Sequence, residues 1–159
     1  MDPLQRVRDA LCLWGLDDTI QAFGEGTHTA VDAARAIGCE VNQIAKSIVF
    51  ATADGPMIVM AGGTNRIDKR KVGRATGMKL HSVGADYLRE RLELEPGGVT
   101  PLATDAELPV VIDSDLFTFD QIWLSAGTPS HILSITPEML RMITRAQIMA
   151  VTEVPSSSS

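Results

Sequence analysis

The stretch KSIVFATADGPMIVMAGG, residues 46–63, decides the fold. It contains two apolar runs, 46–53 and 56–61, rich in the β-branched residues that favour strands. Between them stands Asp54-Gly55, a pair typical of a tight turn between antiparallel strands. The stretch therefore predicts a β-hairpin, and the rest of the chain is read outward from it.

Helix and strand patterns surround this hairpin on both sides. Asp2-Pro3 and Thr136-Pro137 are typical helix starts, and a capping-box-like start at Thr29 opens a short alanine-rich helix that closes at Gly38. Further segments predict two helices, 68–76 and 85–92, and five strands, 79–83, 109–113, 122–126, 131–135 and 146–152. Because the strands come in hairpins as well as strand–helix–strand steps, we expect a mixed α/β fold: a curved mixed sheet with helices packed on it.

Length and composition indicate one domain. The 159 residues are 45% hydrophobic, which suffices for a single core without disulfides or metals, so we expect one domain at 1–154 and a flexible tail at 155–159. Cys12 and Cys39 have no metal-ligand or redox spacing, as in a reduced cytoplasmic protein. Neither a membrane-spanning run nor a signal pattern is found, so we expect no membrane partner.

The charge is negative overall but unevenly distributed. The net charge of −6 argues against a protein that grips nucleic acid chiefly through phosphates. Six of the fourteen Lys and Arg residues nevertheless fall within positions 66–79: Arg66, Lys69, Arg70, Lys71, Arg74 and Lys79. A solvated helix face and a surface for an anionic partner are both open interpretations of this segment.

Lys46 and His131 are the side chains best suited to chemistry. Lys46 shares a predicted strand face with apolar Ile48 and Phe50, where an unpaired ammonium is costly to bury. It either reaches water at the strand end or lies at a cleft to meet an anionic group. His131 likewise is either a satisfied core histidine or a site residue.

A glycine loop, ELEPGGVTPLA at 93–103, separates a polar helix from an apolar strand. Its prolines fix two bends, and Gly97 and Gly98 allow backbone N–H groups to approach a ligand closely. Such N–H groups can stabilise a carbonyl oxygen as negative charge develops on it. The loop is therefore either a rigid connector or part of a site for ester or amide hydrolysis.

Common catalytic motifs are missing. The sequence has no nucleophile elbow, phosphate loop or dinucleotide fingerprint, and no His or Cys pair has the spacing of metal ligands. We therefore expect no metal and no cofactor.

Three segments together resemble the YbaK/ProX family, the free-standing relatives of the editing domain of bacterial prolyl-tRNA synthetase. They are GTHTAVDAARAIGCEVNQIAKSIVF (26–50), PGGVTPLA (96–103), in which Gly97 and Pro101 have the defining spacing, and LSAGTPSHILSITPEML (124–140). The resemblance covers nearly the whole chain. It implies the editing-domain fold and trans-editing, the hydrolysis of the ester that joins a wrong amino acid to a tRNA 3′ end.

The resemblance also implies roles for individual residues. Lys46 would hold a phosphate or the ester end of the substrate, and the backbone of the Gly97–Pro101 loop, Gly98 included, would polarise the carbonyl. The nucleophile would be a water molecule, assisted by a ribose hydroxyl of the tRNA. The substrate pocket would be formed by Thr27, His28, Thr29, Ile44, Ser47, Val99, Pro101, Ser125, Gly127 and His131. Ser47 departs from the asparagine that some alanine-editing members carry.

The expected partners follow from this reaction. They are the acceptor end of aminoacyl-tRNA, held in part by Arg66, Lys69, Arg70, Lys71 and Arg74, and an aminoacyl-tRNA synthetase as a further candidate. A pocket walled by Ile44, Val99 and His131 would admit alanine, serine, cysteine, 2-aminobutyrate or threonine. The alternatives are a module that binds an aminoacyl ester or a synthetase without catalysis, and a general esterase.

Overall fold

The central hairpin forms as predicted. The computed structural model describes residues 2–22, 29–105 and 107–153, and in it β2 (Ala45–Thr52) pairs antiparallel with β3 (Gly55–Gly62) along its whole length. The turn lies at 53–54, one position earlier than predicted. Thr52 fixes it there, because its hydroxyl donates to Gly55 O at 2.8 Å and accepts from Asp54 N at 3.2 Å.

The hairpin lies at the centre of a five-stranded mixed sheet. The strand order is β4-β2-β3-β5-β8, with β4 at His81–Ser82, β5 at Val110–Asp113 and β8 at Gln147–Met149. β2 is antiparallel to β3 and β4, whereas β3–β5 and β5–β8 are parallel pairs. The prediction of a mixed sheet is therefore confirmed, although β4 and β8 are shorter than the predicted strands 79–83 and 146–152.

A second, antiparallel sheet has three strands in the order β1-β7-β6. It comprises β1 (Gln21–Ala22), β6 (Ile122–Ser125) and β7 (His131–Ile135). The sequence pattern predicted β6 and β7 but missed β1, which is only two residues long. A single parallel bridge between Ile44 and Trp123 joins the two sheets, which meet at that point and then diverge.

Five helices pack on these sheets. They are α1 (Pro3–Leu13), α2 (Ala30–Ile37), α3 (Lys69–Thr76), α4 (Ala85–Leu92) and α5 (Pro137–Thr144). Their starts follow from side-chain caps: the hydroxyls of Thr29 and Thr136 and the carboxylate of Asp68 each accept backbone N–H groups of the first turn. Gly38 and Gly77 end α2 and α3 in the left-handed conformation, as predicted.

Three short 3-10 helices complete the fold. They lie at Val41–Gln43, Pro101–Ala103 and Ser114–Thr118. The first lies directly before β2. Within the described ranges, no helix is long and apolar enough to cross a membrane. The predicted tail, 155–159, lies outside the described residues, and the domain range 1–154 stays a prediction.

The two faces of the five-stranded sheet have separate cores. Successive strand residues point to opposite faces, so Val49, Ile58 and Met60 enter the larger core, which α1, α4, α5 and the second sheet cover. Phe50, Val59 and Ala61 enter the smaller core, which α3 covers through Val72. The hairpin thus supports helices on both faces, and its first residues reach the place where the two sheets part.

Candidate active site

A cavity of about 280 Å³ opens where the sheets diverge. β2 pairs with β4 at Phe50 and Ala51 only, so among the described strands none pairs with its first residues on that edge beyond the bridge at Ile44. α2, the glycine loop and the loop between β6 and β7 close the remaining sides. The lining residues are Thr29, Ala30, Ala33, Ile44, Ala45, Lys46, Ser47, Ile48, Gly97, Val99, Ser125, Pro129, His131 and Ile132.

This cavity brings together eight residues that the sequence predicted for a site. They are Thr29, Ile44, Lys46, Ser47, Gly97, Val99, Ser125 and His131. The sequence reading missed Ala30, Ala33, Ala45, Ile48, Pro129 and Ile132. These six are apolar and carry no chemical signal of their own; only the predicted alanine-rich helix could have indicated that small side chains approach the site. Thr27 and His28 lie outside the described residues.

Lys46 is the second residue of β2 and lies half-buried in the wall of the cavity. Burial lowers the pKa of its ammonium group below the usual lysine range, and the nearby Arg66 guanidinium lowers it further. Among the described residues, no carboxylate forms an ion pair with it. A cation that is partly desolvated and has no internal counter-ion is suited to meet an anionic or polarised ligand group.

His131 is oriented by the loop that precedes it. Its Nδ1 lies 2.6 Å from Thr128 Oγ1 and 3.3 Å from Ser130 Oγ. Because Nδ1 is engaged with these hydroxyls, Nε2 is the ring nitrogen left for a ligand. A neighbouring hydroxyl, Ser125 Oγ, donates to Thr128 O at 3.1 Å rather than to the imidazole. The two side chains therefore do not form the nucleophile–base pair of a serine hydrolase.

The glycine loop is a tight turn whose two glycines have different tasks. Pro96 and Gly97, with φ +83°, occupy the central positions of a type II turn, and Gly98 N–H donates to Glu95 O at 2.9 Å. The expectation that Gly98 offers its N–H to a ligand is therefore corrected: this donor closes the turn. Gly97 and Val99 line the cavity, and their N–H groups have no acceptor among the described residues.

Gly98 instead lets two loops approach each other. A Cβ at this position would lie 2.9 Å from Thr128 Cα and 3.0 Å from Gly127 O, closer than such atoms can pack. Gly127 in turn has no room for a side chain, since a Cβ there would lie 2.9 Å from Pro3 C. The lining residues do not include Gly98, Gly127 or the buried Pro101. The two glycines let the walls of the cavity approach each other, and contact of Gly127 and Pro101 with the substrate stays a prediction.

Ser47 belongs to the lining, but its hydroxyl is enclosed. Ser47 Oγ is buried and has no hydrogen-bond partner among the described residues. It pairs in register with Met60, which belongs to the larger core, so its side chain points toward that core. A buried hydroxyl without a partner carries a free-energy cost.

The basic residues predicted to bind tRNA lie elsewhere. Lys69, Arg70, Lys71 and Arg74 are on α3, and Arg66 is in the loop before it. Arg66 is near enough to Lys46 to affect its pKa, which connects this segment to the cavity. In the part of the chain that the structure describes, no group of three His, Cys, Asp or Glu residues is placed to hold a metal ion.

Comparison with known proteins agrees with this geometry. The family model of the aminoacyl-tRNA editing domain matches residues 24–143, which include all the lining residues of the cavity. The chain therefore belongs to the aminoacyl-tRNA editing domain family, as the resemblance to YbaK/ProX proteins indicated.

Individual relatives extend the comparison to the whole fold. A crystal structure of a candidate trans-editing enzyme for prolyl tRNA synthetase is 33% identical, with a TM-score of 0.88, covering 97% of this chain and 99% of that one. The protein YwhH of Bacillus subtilis is 27% identical over 86% of this chain and 88% of its own length. EbsC of Enterococcus faecalis, a candidate Cys-tRNA(Pro)/Cys-tRNA(Cys) deacylase, is 23% identical over 82% of this chain and 81% of its own length.

Proposed function

We propose that this protein is a trans-editing deacylase that hydrolyses the ester of tRNA mischarged with a small amino acid. The observation that carries the proposal is that Lys46, His131, Gly97 and Val99 line one cavity, and that the N–H groups of Gly97 and Val99 have no acceptor among the described residues. A cation, an oriented imidazole and free backbone donors are the groups that acyl-ester hydrolysis needs. Charged tRNA is consumed in translation, so we propose a cytoplasmic location.

The reaction needs no nucleophilic side chain. Water attacks the carbonyl carbon of the aminoacyl ester, helped by a ribose hydroxyl of the tRNA, and the bond from that carbon to the ribose oxygen breaks. The ribose oxygen leaves with a proton, which yields the free amino acid and the uncharged tRNA. Gly97 and Val99 donate to the carbonyl oxygen while it is negatively charged, and Lys46 holds the ester end or the terminal phosphate.

The size of the cavity supports a small aminoacyl group. A volume of about 280 Å³ falls at or just below the lower end for ligand pockets, roughly 300 Å³. The side chains of Ile44, Val99 and Ile132 restrict it further. Alanine, serine, cysteine, 2-aminobutyrate and threonine are the candidates. A synthetase gains only about 1–3 kcal/mol from one methylene group, so a second site that excludes larger residues is needed to remove its errors.

A second candidate function is binding without catalysis. It is favoured by the lack of an activated nucleophile among the described lining residues. Ser125 Oγ is hydrogen-bonded to Thr128 O and His131 Nδ1 to Thr128 Oγ1, so the two side chains are not hydrogen-bonded to each other. In that case the cavity would hold an aminoacyl ester or dock on a synthetase.

A deacylation panel separates the two functions. One tRNA body is charged in turn with alanine, serine, cysteine, 2-aminobutyrate, threonine and proline, and each is offered in large excess over the protein. We expect many turnovers on one or a few of the small residues and little on proline. Release that stops at one equivalent per protein, or no release from any charged tRNA by folded protein, would leave the binding module as the function.

A further inference from the structure

α3 and the segment after it form a basic groove on the surface. The groove has a volume of about 500 Å³, and no carboxylate lines it. Its lining residues are Lys69, Arg70, Gly73, Arg74, Met78, Lys79 and Leu80. Four cations thus surround a floor to which Met78 and Leu80 contribute apolar surface. We name this feature the α3 groove.

The cations of the α3 groove have no counter-ions among the residues that the structure describes. Asp68 is the one carboxylate in positions 66–79, and it caps α3 by accepting the N–H groups of Arg70 and Lys71 at 3.1 Å each. The ion pairs found among the described residues involve none of the four groove cations. Lys69 donates to the neutral Ser82 hydroxyl at 3.2 Å. The groove therefore keeps its positive charge for an external anion.

The α3 groove and Lys46 belong to the same face of the sheet. α3 packs on the face that carries Phe50 and Ala61. Lys46 is paired in register with Ala61, and residues paired directly across antiparallel strands point to the same side. Arg66 stands in the loop before α3 and is near enough to Lys46 to lower the pKa of its ammonium group. Cations thus continue from the cavity to the groove.

The opposite face carries the reverse charge. α4 packs there through Leu92, and a cleft of about 510 Å³ beside it is lined by five carboxylates and two arginines. The carboxylates are Asp54, Glu90, Glu93, Asp105 and Glu107. A polyanion approaching a protein of net charge −6 is therefore attracted on the α3 face and repelled on the other.

We propose that the α3 groove binds the sugar–phosphate backbone of the tRNA acceptor arm whose 3′ end occupies the cavity. Lys69, Arg70 and Arg74 would pair with phosphates, and the apolar floor would pack against ribose. Contacts of this kind position an RNA without reading its bases, so the groove would orient the arm while the cavity selects the amino acid. This inference rests on the proposed function, because it takes its RNA from that reaction.

Binding of uncharged tRNA tests the groove without requiring catalysis. The variants are the triple change Lys69→Glu, Arg70→Glu and Arg74→Glu, and two single changes, Arg74→Glu and Arg91→Glu. Arg74 and Arg91 are both exposed and both lie in the last turn of an eight-residue helix, on opposite faces of the sheet. The two single variants therefore change the net charge equally on opposite faces. Arg91 also stacks over the Tyr87 ring at 5.4 Å, so the stability of both variants is measured alongside binding.

We expect the triple variant to bind tRNA at least tenfold more weakly in ~0.1 M salt. Its slope of log Kd against log salt should fall by about two to three, since each of the three phosphate contacts contributes roughly 0.7–0.9. Arg74→Glu should weaken binding more than Arg91→Glu. Equal Kd values for Arg74→Glu and Arg91→Glu, or a triple variant that binds like wild type, would overturn the proposal and leave α3 as a solvated face.

A second measurement separates the groove from the reaction. Deacylation is compared on full-length charged tRNA and on an aminoacylated CCA trinucleotide, which lacks the acceptor-arm duplex. The triple variant should lose kcat/KM on the tRNA and keep it on the trinucleotide; an equal loss on both would overturn the inference. If wild type hydrolyses neither, the proposed function fails, and the Kd comparison still decides whether the groove binds RNA.

Discussion

The cavity and the α3 groove present cations on the same face of the sheet, but in opposite physical settings. Lys46 is half-buried, and burial lowers the pKa of its ammonium group. Lys69, Arg70 and Arg74 are exposed on α3. Exposed charges are screened within roughly 8–10 Å at ordinary ionic strength, whereas partly buried charges are screened much less.

This difference assigns separate tasks to the two regions. A cation in a partly dry cavity interacts strongly with a charge that develops during the reaction, so Lys46 should determine the rate of hydrolysis. Exposed cations attract a polyanion over a distance and release counter-ions, so the α3 groove should determine affinity and its dependence on salt. An acidic protein can bind RNA in this way because its positive charge lies on the α3 face of the sheet and the carboxylate-lined cleft lies on the other face.

The largest expected effect is that of Lys46→Met, which keeps an apolar stem and removes the charge. We expect kcat/KM for deacylation to fall by about 100-fold or more, the size of effect seen when one stabilising donor is removed from an active site. The fall should be similar at low and high salt. Lys46→Arg is the matched control and should retain more activity. If the loss of kcat/KM disappears in high salt, Lys46 behaves like the exposed cations of the α3 groove, and the proposed difference between the two regions is wrong.

The pH dependence of stability sharpens the same point. Because folding lowers the pKa of Lys46, the unfolded chain binds more protons than the native one between the two pKa values, so stability rises with pH there. The free energy of unfolding of wild type relative to Lys46→Met should therefore increase as pH rises through the window just below the ordinary lysine pKa. Denaturation at several pH values measures it; a constant difference would mean that Lys46 is fully solvated.

A smaller effect is expected of Gly98→Ala, which alters the cavity walls and leaves α3 untouched. The new Cβ would meet backbone atoms of Thr128 and Gly127 at 2.9 and 3.0 Å, and backbone cannot move aside as a flexible side chain can. We expect a loss of about 1–3 kcal/mol in the free energy of unfolding, typical of overpacking. Turnover should also fall, because the displaced loop orients His131 through Thr128.

The control for this variant is Gly97→Ala. Its Cβ would reach only ordinary contact with Pro129 at 3.5 Å, so its cost, about 1 kcal/mol, would come from its own positive φ. Both variants should bind uncharged tRNA like wild type. If Gly98→Ala is as stable as wild type, the close approach of the two loops is not a constraint on the cavity.

Local signals explain what the sequence could predict. Helix starts at Thr29, Asp68 and Thr136 are encoded by a capping residue and its immediate neighbours. α3 begins one residue after the predicted start, because Asp68 is its cap, and it ends at Thr76 as predicted. The central hairpin is encoded by two apolar runs. Lys46 and His131 stood out because a charged or titratable group among apolar residues needs an explanation.

The remaining features depend on parts of the chain that are distant in sequence. Gly97 and Gly98 are adjacent and look alike in the sequence. Gly98 donates its N–H to Glu95 O and lies against the backbone of residues 127–128, whereas Gly97 lines the cavity. These contacts distinguish the two glycines, and the sequence does not contain them. β1 is held by two pairs with β7, more than a hundred positions away, and has no periodicity of its own. Ile48 and Ile132 both line the cavity because it lies between strands of two different sheets. No local sequence pattern shows how the two sheets are placed.

The smallest expected effect is on the free energy of unfolding, and it should have opposite signs for two serines that line the cavity. Ser47 Oγ is buried without a partner, whereas Ser125 Oγ donates to Thr128 O at 3.1 Å. Removing an unpaired buried hydroxyl relieves a desolvation cost, so Ser47→Ala should leave stability unchanged or raise it by up to about 1 kcal/mol. Ser125→Ala should lose about 0.5–1.5 kcal/mol, the net contribution of one hydrogen bond.

Chemical denaturation of the two variants decides the matter, because each loses one hydroxyl oxygen from a residue that lines the cavity. A Ser47→Ala variant less stable than Ser125→Ala would mean that the Ser47 hydroxyl has a partner in solution, such as an ordered water molecule beneath the cavity. The cavity would then contain a second fixed polar group beside His131. The opposite result would leave Lys46, His131 and the backbone N–H groups of Gly97 and Val99 as the polar groups of the cavity that act on a substrate. In the α3 groove, by contrast, the polar groups are several exposed cations.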